Sequence, residues 1–203
     1  MPESSPKRSR EDATVRRAQI IAEATSLIGR HGYNGFTVQA LAARCGLTNA
    51  GLLHYFGSKD KLLLALLEEL QAEETEVLAP LVAAAAARPL SRQAIAQLLR
   101  TMVARIAARD EMARFAAVLQ SEAIDPTHPA HHGFIVRERM ALDMFESLVR
   151  DVMPDPPATA RQLYAMMHGL LQQWLRSGRA FDLVGEWGKA VAMLVPMLAE
   201  EAA

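Results

Sequence analysis

"TVQALAARCGLTNAGLLHYFGSKDKLL", residues 37–63, sets two short apolar patterns on either side of Gly46 and then brings Tyr55 and Phe56 together. In the first pattern Val38, Leu41, Ala42 and Cys45 follow the i, i+3, i+4, i+7 spacing of one helical face, and Thr37 stands where a cap belongs. In the second, Leu52 and Tyr55 or Phe56 point back at the first helix behind a Thr48 cap, and Leu47 fills the corner. Each helix falls short of the roughly 12–15 residues that give marginal stability in isolation, so both depend on mutual packing and on their flanks. Ala42 is small where a large side chain would push the second helix away, and Gly46 supplies the positive φ of a sharp turn. This is the packing logic of a helix-turn-helix, whose second helix lies in the major groove of DNA.

The chain has 203 residues, 51% of them hydrophobic and only 5% aromatic, with Ala, Leu, Met and Arg recurring throughout. That composition favours helices over strands and predicts an all-α protein able to bury a substantial core. With Cys45 as the single cysteine, no disulfide forms within the chain, which fits a reducing compartment. No apolar run approaches the about 18 residues of a membrane span, and the opening "MPESSPKRSREDA" has no apolar signal core, so a cytoplasmic protein without membrane association is expected. The net charge of −1 hides an asymmetry. Residues 1–60 carry eight Lys/Arg against five acids, and the remainder is acidic, as suits a polyanionic partner at one end of the molecule or an ordinary solvated surface.

Around the corner the periodicity predicts about nine helices. Residues 1–12 read as a disordered arm. A helix follows from Thr14, with Ala18, Ile21, Thr25 and Ile28 on one face and Gly32 as its stop. Ser58 caps a long helix striped with Leu62, Leu66, Leu67 and Leu70 and ending near residue 76. An alanine-rich connector lies between Pro80 and Pro89, and Ser91 caps the next helix, with Ile95, Leu98, Leu99, Met102, Val103 and Ile106 in register. Further helices run from Asp110, over residues 129–152, over 158–177 and, behind an Asp182 cap, over 183–200, where Pro196 should kink the last turns.

"TNAGLLHYFGSKDKLL", preceded by "GRHGYNGFTV", closely resembles the DNA-binding region of the tetracycline-repressor (TetR) family over residues 13–65. The family's L-x-x-[HY]-F-x-[SN]-K-[ED]-x-L run is matched by Leu52, Tyr55, Phe56, Ser58, Lys59, Asp60 and Leu62. Leu53 departs from it, standing where the family usually has a tyrosine that touches DNA, and Ile28 replaces a common phenylalanine. Thr37, Thr48 and Lys59, at helix starts, suit phosphate contacts. Asn49, Gly51 and His54 are placed to meet base edges, Asn49 as a bidentate partner of adenine. Tyr55 has an apolar body for the corner and, by the resemblance, a hydroxyl for phosphate. Arg44 is either a backbone contact or a solvated charge.

The resemblance further implies that residues 66–203 bind a small molecule and dimerise through the last two helices, whose hairpin "GLLQQWLRSGRAFDL" looks like the family's. Leu163, Leu170, Trp174, Trp187, Val191 and Leu194 are the expected dimer residues, part of stripes too wide for one hairpin to hide. A largely apolar effector is expected among Met112, Phe115, Leu119, Phe134, Met144, Phe145, Met166 and Met167. Glu122, His128, His131 and His132 fit no strong zinc pattern and read as a loop punctuated by Pro126 and Pro129. No catalytic constellation, metal site or cofactor is expected. The predicted function is a homodimeric, ligand-responsive repressor of a near-palindromic operator; the alternative is a helical small-molecule carrier whose corner is merely structural.

Overall fold

The protein is described by a computed structural model covering residues 6–86 and 90–194. Among these residues all regular structure is helical: α1 (Pro6–Gly35), α2 (Val38–Arg44), α3 (Asn49–Phe56), α4 (Lys59–Ala86), α5 (Arg92–Ala108), α6 (Asp110–Glu122), α7 (His131–Val149), α8 (Pro156–Arg176) and α9 (Leu183–Leu194). α1 already begins at Pro6, so residues 6–12 are helical rather than part of the expected arm, whose first five residues lie outside the described ones. The kink near its end falls at Gly32, with φ +73°, a backbone conformation that costs a residue without Cβ nothing. Ala18 is exposed, and the buried stripe runs instead through Ile20, Ile21, Ala24, Leu27 and Ile28.

α4 also exceeds its expected end at residue 76, running on through Pro80 and the alanine segment to Ala86. Alanine is the best helix former, which helps the helix persist despite the hydrogen bond a proline removes. Pro89, Pro196 and the turns after residue 194 fall outside the described residues. The predicted caps are present at Thr37, Thr48, Ser58 and Ser91, each hydroxyl accepting from the backbone N–H three residues on at 3.0–3.1 Å. Asp155 does the same for α8, where Pro156 and Pro157 occupy the first turn.

Two cores result. One lies beneath the helix-turn-helix and joins Ile20, Ile28, Leu41, Leu52, Leu62, Leu63 and Leu66. It also takes Phe115 and Leu119 from α6, so residues far beyond position 65 build it. α1 and α6 approach closely at Gly29, where an added Cβ would stand 3.3 Å from the Phe115 backbone nitrogen. The second core gathers α5, the end of α7, α8 and α9 around Phe145, Leu163, Trp174 and Trp187. Trp187 is 1% exposed, and its indole N–H donates to the Leu99 carbonyl at 3.1 Å, tying α9 to α5.

Candidate nucleic-acid interface and internal cavity

Gly46 takes φ +65° between α2 and α3, and the Leu47 N–H donates to the Ala42 carbonyl at 2.8 Å across the turn. Leu41, Ala42, Cys45, Leu52 and Phe56 are buried, which fixes the angle between the helices. Burial pushes the Cys45 thiol pKa up, so it packs as a small apolar group. From the first turn of α1's described side chains, Arg16 Nη1 donates to the Cys45 carbonyl at 3.3 Å, and the Arg17 guanidinium lies 5.4 Å from the Phe56 ring centroid. Neither arginine was singled out from sequence, because nothing in a helical stripe says which distant helix end a surface arginine reaches.

With the apolar side sealed, the outward surface carries Thr37, Thr48, Asn49, His54 and Tyr55, and Gly51 is half-exposed. Gln39 and Ala50 share that surface and went unremarked; Ala50 lies one turn before His54, a spacing that places them together. Tyr55 is 38% exposed and meets His54 edge to face, so its ring bridges corner and surface. A Cβ on Gly51 would approach the Thr48 hydroxyl to 3.2 Å, giving this glycine a second task in keeping the cap unobstructed.

Two expected contacts are more constrained. Arg44 Nε donates to Glu23 at 2.7 Å, an exposed ion pair that ties α2 to α1 and must compete with any phosphate for the guanidinium. Lys59 is half-buried rather than fully projecting, with Nζ 4.3 Å from the Tyr33 ring centroid and 5.3 Å from that of Phe36. Desolvation lowers its pKa, opposed by Asp60 and Glu122. Asp60 in turn accepts a hydrogen bond from the Tyr33 hydroxyl, whose pKa is raised by burial and by that carboxylate.

The second site is a cavity of about 180 Å³ between α4, α5, α6, α7 and α8. Met112, Phe134, Met144, Phe145 and Met167 line it. Three expected ligand residues do not. Phe115 and Leu119 are fully buried on the opposite side of α6, in the core beneath the helix-turn-helix, and Met166 packs elsewhere on the second core. The polar part of the wall was missed entirely: Glu73 and Glu74 from α4, Arg109 before α6, Gln120, Arg137 and, on α8, Tyr164 and His168. Arg137 Nη2 donates to Glu74 at 2.6 Å, and Arg109 pairs with Glu73 at 2.5 Å, so both ion pairs join α4 to other elements of the wall. Tyr164 accepts from Gln120 Nε2 at 3.2 Å, and its ring meets that of His168 at a tilt of 53° with centroids 4.2 Å apart. Burial first, and Arg137 second, lower the His168 pKa to about 4.

The expected dimer residues divide between the chain's own core and its surface. Leu163, Trp174, Trp187 and Val191 are buried within the chain's own second core, because α5 and α7 cover the wide stripes that seemed to call for a partner. Leu170 and Leu194 remain partly exposed. The outer side of α8 presents Gln162, Ala165, Met166, Gly169, Leu170 and Gln173, at successive spacings of three and four, and α9 presents Met193 at 82% exposure.

The histidine segment is a turn between α6 and α7. His131 Nδ1 pairs with the Ala123 carbonyl at 2.7 Å, and His128 Nδ1 accepts from the Ala130 N–H at 3.1 Å. Among the described residues no three His, Cys, Asp or Glu side chains form a group suited to a metal ion, and no helix is long and apolar enough to cross a membrane.

Residues 20–66 match the family of bacterial regulatory proteins described as the tetR family. A 71-residue stretch is 35% identical to the HTH-type transcriptional repressor AcnR of Corynebacterium diphtheriae, covering 35% of this chain and 37% of the repressor's length. Over nearly the whole chain the fold is similar to two solved regulators. The transcriptional regulator FadR of Bacillus subtilis, solved in complex with stearoyl-CoA, aligns with TM-score 0.71 and 16% identity, covering 88% of this chain and 97% of FadR. NalD, the secondary repressor of the MexAB-OprM efflux pump in Pseudomonas aeruginosa, aligns with TM-score 0.71 and 20% identity, covering 91% and 95%.

Proposed function

We propose that residues 20–66, which match the tetR family of bacterial regulatory proteins, form a DNA-binding domain and that the whole chain is a cytoplasmic, ligand-responsive transcriptional repressor, not an enzyme. The observation that carries this reading is the geometry of the corner: the apolar side of α3 is sealed while Asn49, His54 and Tyr55 face outward. In this reading Thr37, Thr48, Lys59 and Tyr55 position the domain on phosphates, with Arg44 joining them when it leaves Glu23. Asn49 and His54 read bases, and Gly51 permits close approach.

Two such units need two-fold symmetry to read a near-palindromic operator, with recognition helices about 34 Å apart. The outer side of α8 and α9 is the surface we assign to a homodimer, with Leu170, Leu194 and Met193 as its apolar contacts. Gly169 supports it, since a Cβ there would meet nothing within 4 Å, leaving room for a neighbouring helix. For the response, α4 is the connecting lever: Lys59 and Asp60 at one end sit beneath the helix-turn-helix, and Glu73 and Glu74 stand in the cavity wall. An effector that binds better when α4 is displaced must weaken operator binding by the same coupling factor.

A mobility-shift assay with DNA flanking the protein's own gene tests the reading. A retarded, salt-sensitive band that an effector releases supports it. Failure to retard any fragment in a genomic pull-down leaves the carrier reading in its place.

A further inference from the structure

The apolar seal under α3 holds that helix but does not aim it. Burial of Leu52 and Phe56 has no preferred direction, and α2 and α3, seven and eight residues long, are too short to fix their own axes. The turn between them is open on one side, since a Cβ on Gly46 would meet nothing within 4 Å. Directional contacts reach it from α1. Arg16 Nη1 donates to the carbonyl of Cys45, the residue that ends α2, at 3.3 Å, and to Gln19 Oε1 at 2.9 Å. Seven residues further along α1, Glu23 accepts from Arg44 Nε at 2.7 Å and so holds the last turn of α2.

Arg17, the next residue, places its guanidinium carbon 5.4 Å from the ring centroid of Phe56, which closes α3. Two consecutive residues of α1 thus reach both ends of one unit: Arg16 the turn that leads into α3, and Arg17 the residue that ends it. Each contact is chemically matched. A carbonyl at a helix end lacks a partner in its own helix and carries partial negative charge, which a guanidinium answers both as donor and as cation. A guanidinium over an aromatic face is attracted by the ring's quadrupole. Holding both ends of a rigid helix fixes its tilt, whereas holding one end leaves it free to swing.

We propose that Arg16 and Arg17 are positioning residues for base recognition, setting from α1 the tilt at which Asn49 and His54 meet the groove. This rests on the DNA-binding reading above and adds to it two residues that act through α3. A hydrogen bond to a base edge depends on the direction of its donor and weakens steeply when that direction is lost. A phosphate contact from a long cationic side chain carries no sequence information and tolerates a small tilt. Loss of either arginine therefore costs sequence discrimination more than it costs overall DNA affinity.

Fluorescence anisotropy of the full chain with two labelled duplexes tests this. One is the duplex that the wild type enriches from a randomised library, and the other is a scrambled duplex of the same length and composition; the ratio of the two affinities measures discrimination. Arg16→Met and Arg17→Met keep the apolar stem and remove the guanidinium. The ratio is expected to fall about fivefold in Arg16→Met and about threefold in Arg17→Met, with the salt slope of the wild type retained. Arg17→Lys, which keeps a cation for the ring, should recover part of the ratio. An equal loss on both duplexes at unchanged slope shows a domain that is merely less stable, and a slope reduced by about one shows a phosphate contact; either result, or an unchanged ratio, overturns the proposal. Circular dichroism checks folding, and if one methionine variant does not fold the other decides. The two readings fail distinguishably: a wild type that enriches no duplex removes the DNA-binding reading and the proposal with it, whereas one that enriches a duplex and keeps its ratio in the variants loses only the proposal.

Discussion

The Glu122 carboxylate, at the last residue of α6, accepts a hydrogen bond from the backbone N–H of Tyr33 at 2.8 Å, fastening α6 to the kink of α1. It stands against the face of Gly32 that a Cβ would occupy, and its Oε2 lies 3.8 Å from His128 Nε2 in the turn that follows α6. The ring of Tyr33 meets that of His128 edge to face, and its hydroxyl reaches Asp60 at the start of α4. One carboxylate thus joins the base of the helix-turn-helix to the element that walls the cavity.

Removing that carboxylate should cost stability. Glu122→Ala leaves the Tyr33 N–H unmet in a partly buried site and is expected to destabilise the protein by about 1–3 kcal/mol. Glu122→Gln, which keeps an acceptor, should cost less. Gly32→Ala should be at least as severe as Glu122→Ala, because the new Cβ meets the carboxylate and the backbone φ of +73° is strained for alanine. Urea denaturation of the three variants checks the order; a silent Gly32→Ala would sink it.

At the proposed DNA face, phosphate and base contacts are separable by their salt and sequence dependence. Lys59→Ala should weaken binding to every sequence and reduce the salt slope by about one, whereas Asn49→Ala should alter preference at one base step. Because desolvation lowers the Lys59 pKa, its charge is lost at a less alkaline pH than an ordinary lysine's. Wild-type affinity should therefore fall as pH rises toward the lysine range, and the fall should be smaller in Lys59→Ala. Fluorescence anisotropy over a salt and pH matrix reads both effects.

His168 links cavity and stability. Its pKa is about 4 in the folded chain against an ordinary value near 6.5, so the unfolded chain takes up the proton first as pH falls. The stability associated with neutral His168 is complete above about pH 6.5, declines between 6.5 and 4, and is lost below. The loss amounts to at most about 3 kcal/mol, reduced by whatever water reaches the ring. His168→Gln should flatten that limb of the stability–pH curve in urea titrations at pH 7, 6, 5 and 4; an unchanged limb would show that other groups carry it.

The corner was legible because its determinants are local. A capping threonine, an apolar residue every third or fourth position and a turn glycine all act within about ten residues, and Thr37, Thr48 and Gly46 do what their positions predict. The apolar part of the cavity was legible only by half. Helical spacing shows that Phe115 and Met112 are buried, but not that α1 covers one and the cavity borders the other. Its polar part was invisible, since Arg137 and Glu74 meet across 63 positions and an arginine on a helix reads as solvated until another helix covers it. Trp187 misled for the same reason: its partner, the Leu99 carbonyl, lies 88 positions away, and a stripe's width does not say whose helix covers it.

That burial makes the proposed dimer surface testable by separating folding from association. Trp187 fills the chain's own core and holds α9 to α5, so Trp187→Ala should cost about 3–5 kcal/mol and melt the protein whatever its oligomeric state. Met193 is 82% exposed and Gly169 is open to the outside, so changes there touch little within the chain. If the proposed homodimer forms through this surface, Met193→Asp combined with Gly169→Gln should leave the helical content intact while shifting sedimentation from dimer to monomer. Gly169→Gln keeps helix propensity at least as good as the wild type, so lost association cannot be ascribed to a weakened α8. DNA affinity should fall with the dimer, since one recognition helix then forfeits the second half-site. A dimeric wild type whose double variant sediments with it places the two-fold axis elsewhere, and a monomeric wild type removes the proposed dimer.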